Sequence, residues 1–343
     1  MFDLSAALML VMPYARRSLI AFAAAVALSA CQDSTSPASG ADFVVEDIRR
    51  FWEAVDAGAN ADAFQARYLA PASPALKQFI VSRTITGSSL SQMVRTYPRY
   101  FAAIRANTLA LGATSPTLSA VSANYTRMKQ LYAKAVTPQV TFVIGRFSTG
   151  GTAVSDGIII GMEFYSSDAA TPLDELSSFA RTNVKPASAI PMIIAHENVH
   201  VQQLRFGLLQ RSARTVLERS LLEGSADFIG ELVAGGHINQ FIHAWALPRE
   251  AAIWQAFKAD MDRTDISRWL YNQQSSTPDW PGDLGYFVGY RIAKAFYDRA
   301  SDKSAAIRDI IQVRDASVFL EQSGYAPTTG GLPNVIVEPR VPR

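Results

Sequence analysis

The feature that most constrains the fold is a pair of histidines inside an apolar helical segment. His196 and His200 stand four residues apart in the run PMIIAHENVH, and the whole chain has four histidines. Side chains four residues apart lie on one face of a helix, so both imidazoles point the same way. Uncompensated polar groups on a buried helix face are costly. The fold must therefore bring compensating groups to this face, and the spacing suits a single metal ion.

Glu197 follows His196 directly and is offset around the helix from both histidines. This offset moves its carboxylate off the metal and towards a water molecule that zinc would hold and acidify. A carboxylate in that position acts as a general base. Core histidines capped by nearby carboxylates are the alternative explanation of the pair. The His-Glu-x-x-His spacing favours a site for one Zn²⁺ per chain.

Composition limits which side chains can hold a metal and which partners are possible. Cys31 is the only cysteine, which excludes a disulfide framework and a cysteine-rich zinc site. Histidines and carboxylates must therefore supply the ligands. A chain of 343 residues can bury a hydrophobic core without disulfides or structural zinc sites. The net charge of +2, from 32 basic and 30 acidic residues, leaves no excess for a phosphate backbone, so no nucleic-acid partner is expected.

A second helix carries the candidate third ligand. Its apolar pattern predicts a helix over residues 213–234, which Gly235-Gly236 would end. Within it, the run LLEGSADF places Glu223 23 residues after His200. The small residues that follow Glu223 would let the two helices approach closely enough to reach one ion.

Asp227 lies one turn beyond Glu223 on the same face of this helix. Glu218 and Glu231 are alternative third ligands by distance along the chain. Neither is followed by small residues and by an aspartate at the fourth position. The pattern therefore favours Glu223.

The pattern HExxH, followed roughly 20 or more residues later by ExxxD, resembles the gluzincins, the thermolysin-like zinc peptidases. By that resemblance Glu223 is the third zinc ligand, and Asp227 orients a ligating histidine. The metzincin pattern is excluded, because Gln203 and Phe206 stand where it needs glycine and histidine. The resemblance implies a zincin-like metallopeptidase fold.

Several gluzincins place a tyrosine after the metal helices, often as YxxG, to donate a hydrogen bond to the oxyanion. In the run GYFVGYRI, Tyr286 fits that spacing and Tyr290 is the alternate. His237 and His243 are further candidate donors. The chain has no obvious downstream Asp and His pair like that of thermolysin, so the identity of the donor stays open.

The first 31 residues are predicted to be a lipoprotein signal peptide. Arg16-Arg17 form a basic region, Leu19–Leu28 an apolar run, and LSAC a small-residue site ending in Cys31. That site resembles the bacterial lipobox, which implies an acylated Cys31 as the mature N-terminus and a lipid-anchored protein of the cell envelope. The alternative, a transmembrane anchor, needs roughly 20 apolar residues. Met12 would give a more ordinary signal length than Met1.

Four regions are predicted after the signal peptide. Residues 32–42 have the composition of a flexible tether, and residues 43–137 form an N-terminal helical region. Residues 138–321 form the zincin-like catalytic region, and residues 322–343 an irregular tail rich in proline and glycine. Short helices are also expected near 238–244 and 250–259, and a longer one over 284–299.

Two β-rich runs open the catalytic region. Val140–Phe147 and Gly157–Tyr165 are separated by STGGTAVSD, which has the composition of a hairpin loop. The expected fold class is therefore mainly α with a small antiparallel β element (α+β). The run GIIIGMEFY is the expected edge strand, which would align an extended peptide by main-chain hydrogen bonds.

Taken together, the lipobox, the upstream helices, HENVHVQQ, LLEGSAD and GYFVGYRI resemble the predicted zinc-dependent proteases related to gliding-motility lipoproteins. The resemblance implies hydrolysis of peptide bonds in a peptide or protein substrate in the bacterial envelope. Two alternatives stay open. One is a non-enzymatic, zinc-containing envelope lipoprotein or scaffold, against which the presence of Glu197 argues. The other is a zinc hydrolase of a non-peptide amide, for example in cell-wall material.

Overall fold

In sequence order, one group of helices precedes the long strands of a small sheet and a second group follows them. The structure, a computed structural model, describes residues 42–112, 115–154, 157–206 and 214–327. The predicted signal peptide with Cys31, the tether up to residue 41 and the tail beyond residue 327 lie outside these residues. No helix in the described ranges is both long enough and apolar enough to span a bilayer.

The helices before the sheet's long strands are α1 (Glu46–Asp56), α2 (Ala61–Phe64), α3 (Pro74–Arg83), α4 (Gly87–Thr96), α5 (Pro98–Leu109) and α6 (Pro116–Leu131). Those after it are α7 (Ser178–Asn183), α8 (Ile190–Phe206), α9 (Val216–Ala234), α10 (Gln240–Ala246), α11 (Glu250–Asp260), α12 (Leu284–Arg299), α13 (Lys303–Ile311) and α14 (Ala316–Ser323). A π-helical turn, Gln65–Leu69, continues α2. The mainly helical character expected from the sequence is confirmed.

Local sequence explains how the two helices of the motifs begin and end. Pro191 occupies the first turn of α8, where its missing N–H costs nothing. Thr215 and Glu218 form a capping box at the start of α9. Gly235 ends α9 in the left-handed conformation at φ 78°, which a glycine adopts without strain.

The sheet has four strands, β1 (Phe43–Val44), β2 (Gln139–Val143), β3 (Gly151–Val154) and β4 (Gly157–Gly161), in the order β1-β2-β4-β3. β1 and β2 are parallel, as are β2 and β4, whereas β3 is antiparallel to β4. The predicted hairpin between the two β-rich runs is therefore wrong. The segment taken as its loop contains β3, so the chain reverses twice and the two runs become parallel neighbours.

The predicted edge strand is wrong for the same reason. GIIIGMEFY contributes β4, which lies between β2 and β3 and is buried along its whole length. A strand buried on both faces reads as a continuous apolar run, which is what GIIIG shows. The edge strands are β1 and β3, and β3, with Gly151, Thr152 and Ala153, packs against α8.

The core has two hydrophobic clusters. One surrounds the sheet and the N-terminal helices and includes Phe51, Phe142 and Ile160. The other surrounds α9 and α12 and includes Phe257 and Phe287. Helix α8 contributes to both, since it packs against the sheet on one side and α9 on the other. The histidine pair of α8 therefore sits where the two clusters meet.

Glycines set how closely α9 meets its neighbours. A Cβ on Gly224 would lie 2.1 Å from the backbone nitrogen of Tyr290, and a Cβ on Gly289 would lie 1.7 Å from the carbonyl oxygen of Ser220. The backbones of α9 and α12 are therefore in direct contact. The small residues after Glu223 were expected to serve the approach to α8, but Gly224 serves the approach to α12. Gly230 is the glycine that faces α8.

Candidate metal centre

The two motif helices bring three ligand atoms to one point. The Nε2 atoms of His196 and His200 are 3.0 Å apart, and Oε2 of Glu223 lies 3.5 Å and 3.2 Å from them. A tetrahedral zinc ion with bonds of about 2.0–2.1 Å separates its ligands by about 3.3 Å. The three buried side chains thus have the spacing of a zinc ligand set.

The outer nitrogens of the two imidazoles fix the direction of the inner ones. Nδ1 of His196 lies 2.9 Å from Oδ1 of Asp227, and Nδ1 of His200 lies 2.7 Å from Oε1 of Gln203. A carboxylate oxygen and an amide oxygen only accept, so each Nδ1 carries the hydrogen and donates. Both Nε2 lone pairs then point inward at each other. A cation, either a proton or a metal ion, has to sit between them.

The charges of the three groups are strongly coupled. Burial acts to lower the pKa of His196, but its hydrogen bonds to Asp227 and Glu223 raise it well above the ordinary value. Burial acts to raise the pKa of Glu223, but the two histidines hold it well below its usual range. The site is therefore built to keep an anionic carboxylate next to positive charge.

Glu197 lies beside the three ligand atoms without being one of them. Burial raises the pKa of its carboxyl, while the charges of His200 and His196 act in the opposite direction. A Cβ on Gly151 would lie 2.9 Å from Oε1 of Glu197, so this glycine of β3 leaves room for the carboxylate. A buried carboxylate with a raised pKa next to a candidate metal site has the properties of a general base.

The two alternative third ligands have other partners. The carboxylate of Glu218 accepts from the backbone nitrogens of Arg214 and Thr215, at 2.7 Å and 2.9 Å, and so caps α9. The carboxylate of Glu231 accepts from the hydroxyl of Tyr290. The geometry therefore brings Glu223, and neither rival, to the histidines.

The two predicted tyrosines occupy different places along α12. The ring of Tyr286 stacks on that of His196 with centroids 6.3 Å apart, and its hydroxyl makes no hydrogen bond within the described residues. The ring of Tyr290 instead stacks on His237, with centroids 5.3 Å apart. Tyr286 is brought to the candidate metal site and Tyr290 is not.

His237 and His243 pack against each other behind Asp227. Their ring centroids are 4.4 Å apart, and Nδ1 of His237 and Nε2 of His243 are buried without hydrogen-bond partners. Nδ1 of His237 lies 3.9 Å from Oδ2 of Asp227. Burial, and then the charge of His237, lowers the pKa of His243 to about 3. Neither imidazole reaches the ligand atoms in α8.

Three contributors to the site were not predicted. Tyr271 donates its hydroxyl to Oε1 of Glu223 at 2.5 Å, and Asn239 donates to Oδ2 of Asp227 at 2.7 Å. Neither belongs to a motif. Gln203 was considered only as a departure from the metzincin pattern. Its position three residues after His200 on the same helix is a signal that could have identified it.

The model of one family, described as the gliding motility protein GldB, matches residues 47–327. The chain belongs to this family. The matched range contains every helix described above, apart from the first residue of α1, and every strand except β1. Membership in the GldB lipoprotein family supports the expectation of a lipoprotein of the cell envelope. No curated protein and no solved structure matches the chain.

Proposed function

We propose that this GldB-family protein is a zinc-dependent hydrolase that cleaves peptide bonds in the cell envelope. The observation that carries the proposal is the convergence of His196, His200 and Glu223, whose ligand atoms all lie within 4.8 Å of one another. The orientation of both Nε2 lone pairs towards that point supports a bound cation. Glu197 beside them supports catalysis over a purely structural ion, since a structural site has no use for a buried carboxylate that is not one of its ligands.

Each residue of the site has a separate role in the proposed reaction. Zinc, when bound, would supply a Lewis acid and lower the pKa of a water molecule towards neutrality. Glu197 accepts the proton from the attacking water and returns it to the leaving amine. Asp227 and Gln203 hold the two imidazoles in the tautomer that leaves Nε2 free for the ion. Tyr286 donates its unpaired hydroxyl to the oxyanion.

A zincin-like arrangement is part of this proposal. It is supported by the pairing of α8, which carries both histidines, with α9, which carries Glu223, next to a sheet with β3 at one edge. The edge of β3 would align an extended peptide by main-chain hydrogen bonds. This assigns to β3 the role that the sequence suggested for GIIIGMEFY.

The envelope location rests on the lipobox together with the family. We expect an acylated Cys31 to hold the protein on the membrane through the tether that follows it. Cys31→Ser should release the mature protein from the membrane fraction or leave an uncleaved precursor. An unmodified thiol in intact-mass analysis of the wild type would contradict the anchor.

The decisive experiment compares the wild type with Glu197→Gln. Purified wild type should contain one zinc per chain and cleave members of an unbiased peptide library. Glu197→Gln should keep the zinc and the melting temperature, while hydrolysis falls by about two to four orders of magnitude. Full activity in Glu197→Gln would exclude the mechanism. Zinc without any cleavage by the wild type would favour a scaffold or a hydrolase of another amide.

A further inference from the structure

Arg83, the last residue of α3, is a partly buried cation without a counter-ion. Its Nε is buried and has no hydrogen-bond acceptor, and its guanidinium forms no ion pair within the described residues. Burial lowers the pKa of this arginine. By contrast, Arg99, Arg105 and Arg291 each bind a carboxylate. A buried guanidinium nitrogen without an acceptor is unfavourable, and a ligand that accepts a hydrogen bond from Arg83 would remove that cost.

The surroundings of Arg83 direct it towards the candidate active site. The negative charge of Glu197 is the one carboxylate influence that acts noticeably on it in the described structure. Its carbonyl oxygen accepts from Nη2 of Arg146 at 3.4 Å, which ties the end of α3 to the segment before β3. That segment runs on to Gly151, which packs against Glu197. The end of α3 is therefore connected, through segment 146–151, to the strand that contacts Glu197.

A second unpaired group lies in the same segment. The hydroxyl of Ser148 is buried and has no hydrogen-bond partner in the described structure. Segment 145–150 is itself held firmly, because Glu163 accepts from the backbone nitrogens of Gly145 and Phe147 at 2.9 Å and 3.1 Å. A cation and a hydroxyl without partners are thus carried by two neighbouring, well-anchored pieces of chain.

We infer that Arg83, assisted by Ser148, binds a carboxylate group of the substrate. The inference rests on the proposed function, which places the substrate along the edge of β3 next to Glu197. A guanidinium offers paired N–H donors that match a carboxylate, and the interaction strengthens when water is excluded. The carboxylate belongs either to the free C-terminus of a peptide or to an acidic side chain. Both sources present the same carboxylate group to Arg83. A C-terminal carboxylate would direct cleavage to a position near a chain end, and an acidic side chain would direct it to a position beside Asp or Glu.

The test measures binding without turnover. The probes are three fluorescein-labelled hexapeptide libraries built from neutral residues: one with a free C-terminal carboxylate, one amidated, and one amidated with a single fixed Glu. Binding is measured by anisotropy on Glu197→Gln protein, both with zinc and after its removal. The zinc-free measurement prevents the ion itself from acting as the carboxylate receptor.

One or both carboxylate libraries should bind about tenfold more tightly than the neutral library, as expected for a charge-assisted hydrogen bond. Arg83→Gln should abolish this preference, and Arg83→Lys should retain part of it. Arg67→Gln is the control, because it removes one exposed arginine that has no part in the proposed site and should change nothing. Equal melting temperatures would establish that each variant is folded.

Equal binding of all three libraries, or a preference that survives in Arg83→Gln, would overturn the inference. So would a failure of both carboxylate libraries to bind. These results do not depend on bound zinc or on hydrolysis. The carboxylate site and the proposed hydrolase function can therefore fail separately.

Discussion

His196 and His200 form one buried pair of imidazoles, and His237 and His243 form another, so all four histidines are paired. Each pair also has a tyrosine of α12 stacked on it, Tyr286 on the first and Tyr290 on the second. The pairs differ at their nitrogen atoms. The first has acceptors on its outer nitrogens and a carboxylate at its inner ones. The second keeps two buried nitrogens without a hydrogen-bond partner among the described residues.

Burial and closeness alone therefore do not give two histidine pairs the same chemistry. In the first pair, Asp227 and Gln203 fix the hydrogens on the outside, and the lone pairs must converge. In the second pair Nε2 of His243 has no hydrogen-bond partner among the described residues, and the low pKa of His243 keeps it neutral at ordinary pH. Positive charge is favoured at His196 and disfavoured at His243. The predictions below test that contrast in order of expected effect.

The largest effect is expected on metal content. His200→Ala removes one of the three ligand atoms. Bound zinc should therefore fall from about one per chain to near zero, because a site with two ligands binds zinc far more weakly. His243→Phe should leave the zinc content unchanged. Elemental analysis of both variants after gel filtration checks this. Loss of zinc from the His243 variant would mean that the second pair takes part in binding.

The stacked tyrosines should differ in their effect on catalysis. Tyr286→Phe should lower kcat by about 10²–10³-fold if its hydroxyl stabilises the oxyanion, with zinc content unchanged. Tyr290→Phe loses only the hydrogen bond to Glu231 and should keep kcat close to that of the wild type. Steady-state kinetics on a peptide that the wild type cleaves provides the measurement. Equal losses in both variants would remove the distinction between the two tyrosines.

The outer partners of the first pair should tune zinc affinity. Asp227→Ala should weaken it by about 10–100-fold without abolishing it, the usual cost of losing such a partner. Asn239→Ala should have a smaller effect, because Asn239 touches only the far oxygen of Asp227. Competition with a chromophoric chelator measures both affinities. An Asp227 variant with unchanged affinity would show that the imidazole needs no outer acceptor.

The smallest effect concerns the second pair and acid. A histidine with an ordinary pKa of 6.5 when unfolded and about 3 when folded takes up its proton only in the unfolded state. Its contribution to stability is present above pH 6.5 and is lost as pH falls from 6.5 towards 3. By pH 5 the loss should reach about 2 kcal/mol, and His243→Phe should not suffer it. Urea unfolding of the zinc-free proteins at pH 8 and pH 5 tests this. The same acid loss in the variant would contradict it.

The sequence predicted correctly those features that depend on residues close together along the chain. The bounds of α12 match the predicted 284–299, and the end of α9 at Gly235 follows from the conformational freedom of glycine. The His-Glu-x-x-His face of α8 follows from helical spacing. These features depend on residues within a turn or two of one another, whereas Glu223, on another helix, was predicted from the resemblance to the gluzincins.

The features that sequence missed depend on contacts between distant residues. β4 pairs with β2, which places Gly157 beside Gln139 and leaves β3 at the edge of the sheet. This order depends on which strand occupies the centre of the sheet, and neither segment alone encodes it. Tyr271 and Glu223 are 48 residues apart, and their hydrogen bond follows from the packing of a loop with Tyr271 at φ 56°. No periodicity in either segment encodes such an encounter.

The backbone contact between α9 and α12 at Gly224 and Gly289 has a consequence for motion. Side chains that separate two helices can change rotamer and let the helices slide, but two backbones in contact offer no such freedom. Glu223 and Tyr286 are therefore carried by what is mechanically one rigid body. We expect the admission of substrate and the release of product to depend on the surrounding loops, including the one with Tyr271, while the distance between ligand and tyrosine stays constant through the cycle.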